Sequence, residues 1–139
     1  MEGKDFLNVA RKFCESPHEE ERRTAVSRAY YALFNHVKRS LELKGIPVRR
    51  NAEAHEQLSR YLNNSSIDLA KDIASALNSL REVRNDADYN LQTRNFDALN
   101  CKLHCTKAEN SLGRFDNVDL TKLVDNIRSY ARSVREPGI

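Results

Sequence analysis

The sequence contains few residues that interrupt helices. Only four glycines and three prolines occur among 139 residues, and these are the two residue types that cost most in a helix interior. Their scarcity predicts an all-α protein. A chain of this length can bury roughly two-thirds of the surface that its unfolded form exposes, so a core needs no covalent support. We predict one helical domain over residues 1–139.

Long apolar runs are also missing. No stretch approaches the ~20 apolar residues that span a bilayer, and the N-terminus, Met-Glu-Gly-Lys-Asp, has no apolar signal-peptide core. We therefore expect a cytoplasmic protein without a membrane partner. The three cysteines are an odd number, which argues against a disulfide framework in a reducing compartment.

Familiar catalytic and nucleotide-binding signatures do not occur. The sequence has no P-loop, no glycine-rich dinucleotide fingerprint, no G-x-S-x-G and no H-E-x-x-H. The net charge of +3 and the pI of about 8.8 are mildly basic. This balance permits a nucleic-acid partner without requiring one.

Hydrophobic periodicity predicts up to six helices, which we expect to form an up-and-down bundle around the two longest. Capping residues set several ends: Ser16 with Glu19, Ser65 with Asp68, and a glycine after the second and fifth helices, Gly45 and Gly113. The predicted helices span residues 4–14, 17–44, 53–63, 67–91, 96–112 and 119–134.

The helix predicted over residues 67–91 carries a cation within its apolar stripe. Arg84 lies only about 20° from Leu77 around the helix axis and about 40° from Leu80. A guanidinium keeps its charge at all accessible pH values. Arg84 must therefore find polar partners within the stripe, or lie where the stripe meets an interface or a cleft.

The residues that follow Arg84 allow two interpretations. Arg84 could hold a phosphate while Asp88 and Tyr89 orient it or move a proton. Alternatively, Arg84 and Asp88 form a structural i, i+4 ion pair and Tyr89 is a packing residue. On an unbroken helix Tyr89 is about 140° from Arg84, so the first interpretation requires a helix end near Asp88 or a second copy of the chain.

The long second helix has a polar and aromatic stripe beside its apolar one. Arg28, Tyr31 and Asn35 lie on this stripe and could line a cleft, form a dimer face or pack at the rim of the bundle. The basic stretch over residues 38–50 could follow a phosphate backbone. It could equally be a solvated helix end and loop.

Several residues of the types that bind metals or transfer protons also have purely structural explanations. Cys101, His104 and Cys105 lie within about one helical turn, but the two thiols continue a regular apolar stripe, which predicts small buried side chains. We therefore predict no metal site and no cofactor. His36 and His55 could each act as an acid or base near neutral pH, but neither has a partner that the sequence reveals.

Two motifs together resemble the HEPN superfamily, the higher eukaryotes and prokaryotes nucleotide-binding domain. One is Ser-Arg-Ala-Tyr-Tyr-Ala-Leu-Phe at residues 27–34, followed by a basic connector that leads to His55. The other is Arg-Asn-Asp-Ala-Asp-Tyr at residues 84–89. The chain is most similar to small prokaryotic stand-alone members with an "SRAYYA-F" helix and an "R-x-x-A-D-Y" helix end. The similarity extends over residues 23–90.

The resemblance implies a helical homodimer. Many HEPN proteins are metal-independent endoribonucleases with an Arg-polar-x-x-x-His signature, in which the Arg and His of two facing copies promote attack by the RNA 2′-hydroxyl. Such proteins often serve as toxins in toxin–antitoxin or defence systems. Small members are commonly encoded beside a minimal nucleotidyltransferase that acts as the antitoxin.

Carried onto this chain, the resemblance assigns Arg84 to the signature arginine and Asn85 to the polar residue after it. Tyr89 stands where the signature has histidine, and a phenol with a pKa of ~10 is a weak general base at neutral pH. Asp88 would orient Arg84. The substrate-binding residues of the cleft would be Asn85, Ser27, Arg28 and Tyr31. The alternatives are a non-catalytic adaptor that pairs with a nucleotidyltransferase, and a module that binds small nucleotides.

Overall fold

The structure is a computed structural model that describes residues 1–139. It consists of six α-helices and contains no strands. This confirms the all-α bundle predicted from the sequence. The helices are α1 (Asp5–Phe13), α2 (Glu19–Leu43), α3 (Ala54–Asn63), α4 (Asp68–Tyr89), α5 (Ala98–Phe115) and α6 (Leu120–Ser133).

Helix α2 lies at the centre of the bundle. It packs against α1, α4 and α5, while α4 packs against α2, α3 and α5, and α6 covers α3. The beginning of α2 contacts the end of α4 through Arg23 and Ala87, so the two longest helices run antiparallel. This agrees with the expectation that they form the axis of the bundle.

The core is built from the predicted apolar stripes of the two long helices. Leu33 of α2 and Leu80 of α4 are fully buried, and each such side chain contributes about 1.5–3 kcal/mol relative to an exposed one. All three cysteines are buried and unpaired in the same core. The buried stripe residues of α2 and α4 are Val26, Ala29, Tyr30, Leu33, Val37, Leu41, Ile73, Ala76, Leu77, Leu80 and Ala87.

The end of α2 follows the prediction. Gly45 has a φ of +85°, and the backbone N–H groups of Gly45 and Ile46 donate to the carbonyls of Glu42 and Leu41. This is the Schellman arrangement, in which a residue in the left-handed region ends the helix and satisfies two free carbonyls.

The beginning of α2 differs from the prediction. The helix begins at Glu19 instead of Pro17, and Ser16 does not cap it. The Ser16 hydroxyl instead accepts from the His18 N–H at 3.1 Å and donates to the Glu21 carboxylate at 2.8 Å. The hydroxyl is used in the turn that precedes the helix, so the predicted capping box with Glu19 is wrong.

Two other predicted helix ends are also wrong. Ser65 donates to the Leu62 carbonyl at 2.7 Å, closing the turn after α3, and α4 begins at Asp68 without a side-chain cap. Gly113 lies inside α5, which continues to Phe115, because contacts with the rest of the bundle outweigh the weak helix propensity of one glycine.

None of the six helices combines the length and the hydrophobicity that crossing a lipid bilayer requires.

Candidate functional site

Arg84 lies on the surface where α2 and α4 meet, and polar groups surround its guanidinium. Its terminal nitrogens donate to the Tyr31 hydroxyl at 2.6 Å and to the Asn85 amide oxygen at 2.8 Å. Its Nε lies 3.1 Å from Asp88 Oδ2, but the angle is unsuitable for a hydrogen bond, so this buried N–H has no hydrogen-bond partner. The side chain is 18% exposed. Arg84 therefore has polar partners within the apolar stripe, as the sequence predicted.

Asp88 links Arg84 to the first motif. Its Oδ2 atom accepts a 3.3 Å hydrogen bond from the Ser27 hydroxyl of α2 while it forms the ion pair with Arg84. The Asp88 side chain is 31% exposed, so water screens the pair and limits its contribution to stability. The contact joins Ser27, Asp88 and Arg84 into one network across the two helices.

Two tyrosine rings lie beside the guanidinium. The Arg84 Cζ atom is 5.1 Å from the centre of the Tyr31 ring and 5.5 Å from that of Tyr89, both within the range of cation–π attraction. Tyr89 is the last residue of α4 and is 74% exposed. Arg84 and Tyr89 therefore approach each other within one chain at the helix end, one of the two arrangements that the sequence left open.

Cations without acidic partners flank this network. The guanidinium of Arg28 lies 5.4 Å from the Tyr31 ring and 5.2 Å from the Phe6 ring and has no carboxylate partner. Arg81, one turn before Arg84, forms no ion pair either. Arg28 and Arg81 thus add two cations without ion-pair partners to the Arg84–Asp88 pair, which makes the local charge favourable for an anion.

The structure brings the seven residues that the resemblance assigns to the catalytic and substrate-binding site to one place, which we call the α2–α4 seam. Asn85 contacts the seam through its hydrogen bond with Arg84. The seven residues are Ser27, Arg28 and Tyr31 of α2 with Arg84, Asn85, Asp88 and Tyr89 of α4.

Arg23 supports the seam, and our sequence analysis missed it. This side chain is 8% exposed and its guanidinium lies 4.4 Å from the centre of the Phe96 ring. Its terminal nitrogens donate to five carbonyl oxygens at the end of α4 and in the following turn. The sequence contained a signal for this role, because Arg23 lies three residues before Val26 and so places a fixed charge on the apolar stripe of α2. The five acceptors are Asp86, Ala87, Asn90, Leu91 and Thr93.

His55 does not supply the histidine that the signature lacks. Its Nδ1 is 2.8 Å from the Tyr30 hydroxyl and its Nε2 is 2.9 Å from the Asn78 amide oxygen. Because an amide oxygen only accepts, Nε2–H donates and Nδ1 accepts from Tyr30. Burial lowers the pKa of His55, and Arg81 adds to this effect. Burial also raises the pKa of Tyr30. Both ring nitrogens are therefore occupied in a neutral imidazole.

His36 is also engaged and lies on α2 five residues after Tyr31. Its Nε2 is 2.6 Å from Asp116 Oδ1, and its ring meets the Phe115 ring edge to face. Neither of the two histidines considered in the sequence is free to act on a group bound at Arg84.

The basic stretch over residues 38–50 is not one continuous surface. Arg49 forms ion pairs with Glu53 and Glu136, which anchors the C-terminal segment. Lys38 and Arg39 instead line a separate pocket of about 510 Å³ beside the N-terminus. The stretch is divided between a structural contact and a pocket.

The predicted buried thiols are present. The Cys105 Sγ atom lies 3.9 Å from each of two backbone carbonyls, those of Ala10 and Ala25. Burial raises the pKa of Cys101 to about 11 and that of Cys105 to about 12. No group of three or more His, Cys, Asp or Glu side chains is arranged to hold a metal ion.

Comparisons of the chain with protein-family models, with curated proteins and with solved structures give no match. The resemblance to HEPN proteins therefore remains a prediction from the two sequence motifs.

Proposed function

We propose that this protein is a dimeric HEPN-like protein that binds RNA at the α2–α4 seam and cleaves it without a metal ion. The observation that carries the proposal is the state of Arg84. Its guanidinium is fixed by Tyr31 and Asn85, lies in ion-pair contact with Asp88, and is still 18% exposed.

The hydrogen bonds of Arg84 leave it able to bind a phosphate. A guanidinium has five N–H groups. Tyr31 and Asn85 each use one on a different terminal nitrogen, and the Nε–H is buried. One N–H therefore remains on each terminal nitrogen, and two donors on one planar group suit two oxygens of one phosphate. Holding the group in advance lowers the cost of binding.

The neighbouring side chains suit an RNA backbone. Arg28 and Arg81 add positive charge that would attract a polyanion. Tyr89 exposes a ring on which a base could stack, an interaction that contributes roughly 1–3 kcal/mol per base. Ser27 and Asp88 would hold Arg84 in place beneath the bound strand.

The cleavage step is an internal transfer within the RNA and consumes no other reactant. The 2′-hydroxyl oxygen attacks the adjacent phosphorus, and the bond from phosphorus to the 5′-oxygen breaks. The products are a 2′,3′-cyclic phosphate and a free 5′-hydroxyl: the proton of the 2′-hydroxyl would pass to the Asp88 carboxylate and return from it to the 5′-oxygen. Arg84 would stabilise the negative charge that develops on the phosphate. A second copy of the chain would present its own Arg84 and Asp88 to the same phosphate.

RNA binding and cleavage by purified protein test this proposal. Fluorescein-labelled single-stranded RNA would report binding by anisotropy, and gel analysis with end-group mapping would detect the cyclic phosphate. Arg84→Gln should lose both activities. Arg132→Gln should lose neither, because Arg132 is exposed on α6 and its side chain forms no hydrogen bond or ion pair. Sedimentation would report the dimer. Absence of RNA binding by the wild type would overturn the proposal.

A second candidate function is a non-catalytic partner for a nucleotidyltransferase, and one observation favours it. Tyr89 and Leu91 lie two positions apart at the end of α4 and are 74% and 70% exposed, and neighbouring exposed apolar side chains often mark a protein interface. Co-expression with the product of the adjacent gene tests this function. A stable complex that Leu91→Lys disrupts, together with no RNA cleavage at any pH, would favour the partner role. A role as the toxin of such a pair would appear as growth arrest that requires Arg84.

A further inference from the structure

A second set of unused hydrogen-bond donors lies one helical turn before Arg84. A pocket of about 360 Å³ opens between α3 and α4, and none of its lining residues is apolar. We call it the Arg81 pocket. Its lining residues are His55, Glu56, Ser59, Arg60, Asn78 and Arg81.

The donors of the Arg81 pocket lack partners in the protein. Arg81 is partly exposed, and its guanidinium forms neither a hydrogen bond nor an ion pair. The Asn78 amide oxygen accepts from His55 Nε2 at 2.9 Å, which leaves the Asn78 NH₂ group free. An arginine offers five N–H groups and a primary amide offers two, so Arg81 and Asn78 together offer a dense set of donors.

Acceptors are few in the same pocket. Both nitrogens of His55 are already engaged, and Glu56 is the one carboxylate among the lining residues. Arg60 is held only by Glu136, at 3.6 Å. A ligand that fits must supply several acceptor oxygens and negative charge, which describes a phosphate group.

The position of Arg81 relative to Arg84 indicates which phosphate this would be. Three residues of α-helix correspond to about 4.5 Å along the axis and about 60° around it. Residues three positions apart on a helix are neighbours, with Cβ atoms about 5–6 Å apart. Arg81 and Arg84 are therefore close enough on the surface of α4 for neighbouring phosphates of one strand to reach both.

We infer that Arg81 and Asn78 bind the phosphate next to the one that Arg84 holds. The ligand is then a single-stranded RNA segment with at least two phosphates, instead of a mononucleotide. The hydrogen bond from His55 fixes the Asn78 amide with its NH₂ group free for the ligand. This inference rests on the proposed function, because it assigns a neighbour to the phosphate at Arg84.

The salt dependence of RNA binding tests the inference. Each phosphate contact on a single strand contributes about 0.7 to the slope of log affinity against log salt concentration. Arg81→Gln should therefore reduce the slope of the wild type by about 0.7. Arg81→Lys keeps the charge and should keep the slope. Arg132→Gln is the control and should leave the slope unchanged.

Ligand length provides a second measurement. A 5′-phosphorylated dinucleotide carries two phosphates and an unphosphorylated one carries a single phosphate. Wild-type protein should bind the first at least fivefold more tightly, and Arg81→Gln should remove this preference. If Arg84→Gln abolishes RNA binding while Arg81→Gln behaves like the control, the inference fails and the proposed function stands. If the wild type binds no RNA, the proposed function fails as well.

Discussion

The guanidinium of Arg84 on α4 donates a 2.6 Å hydrogen bond to the phenolic oxygen of Tyr31 on α2. The two residues belong to different motifs, 53 positions apart in the chain, and this bond is shorter than the 3.3 Å bond from Ser27 to Asp88 that also joins the motifs. It converts two separate sequence features into one site.

We expect Tyr31→Phe to weaken RNA binding about fivefold and to lower the free energy of unfolding by about 1 kcal/mol. The ring and its cation–π contact remain, but the bond that orients Arg84 is lost. Anisotropy titration and urea denaturation measure the two effects. Tyr130→Phe is the matched control, because the Tyr130 ring packs against Tyr61 and its hydroxyl has no partner. Equal behaviour of the two variants would refute an orienting role for Tyr31.

Arg23→Met should be strongly destabilising. The change removes the donors to five carbonyl oxygens at the end of α4, and buried acceptors without partners are costly. We expect a loss of roughly 3 kcal/mol in urea denaturation and faster proteolysis over residues 90–97. Arg132→Met, an exposed change without contacts, should stay within about 0.5 kcal/mol of the wild type. A loss for Arg23→Met no greater than that would contradict this account of Arg23.

Stability should fall as the pH drops below about 6.5, the ordinary pKa of histidine. Burial lowers the pKa of His55 in the folded protein, and burial and Lys107 lower that of His104. Between the folded pKa values and 6.5 the unfolded chain therefore binds more protons, so the free energy of unfolding rises with pH. This contribution is fully present above 6.5 and is lost as the pH falls toward the folded values.

The variant His55→Gln should flatten this dependence without abolishing it, since His104 remains. Each proton of difference contributes a slope of at most about 1.4 kcal/mol per pH unit. Urea denaturation from pH 7 to pH 5 measures it. The control is His18→Gln, because His18 is exposed and its imidazole has no partner. A slope unaltered by His55→Gln would show that this imidazole does not titrate as described.

Two glycine substitutions should change the stability of the protein in opposite directions. Gly45→Ala places a side chain at φ +85°, where a Cβ would also lie 3.0 Å from Arg128, and should cost about 1–2 kcal/mol. Gly113→Ala lies within α5, with nothing within 4 Å of the added Cβ, and should stabilise the protein by about 0.5–1 kcal/mol. Thermal denaturation of both variants measures the difference. A stabilising Gly45→Ala would contradict the Schellman assignment.

Much of the helical architecture could be predicted because it depends on local patterns. The period of apolar residues in α2 and α4 predicted their ends within two residues and also predicted their buried faces, and Gly45 marked the end of α2. Two of the predictions that failed involve hydroxyl groups that can form several alternative hydrogen bonds with nearby residues. Ser16 and Ser65 each make hydrogen bonds in the turn next to a helix instead of capping it, and the energy difference between such alternatives is small.

The composition of the candidate site was also predictable, but its geometry was not. A charge that cannot be neutralised, placed on an apolar stripe, identified Arg84 from the sequence alone. The same reasoning would have identified Arg23, had it been applied to α2. The sequence did not reveal that Tyr31 would meet Arg84, or that Arg81 would share a pocket with Asn78, because these contacts depend on how α2, α3 and α4 pack.

The sequence by itself therefore determined the all-α class, the bounds of the long helices and the need of Arg84 for polar partners, since each follows from residue period, backbone propensity or fixed charge. Only the tertiary structure decided which partners Arg84 has, why His55 is occupied, and where donors remain unused. These depend on side chains from separate helices reaching within about 3 Å of one another, a distance that no local pattern encodes.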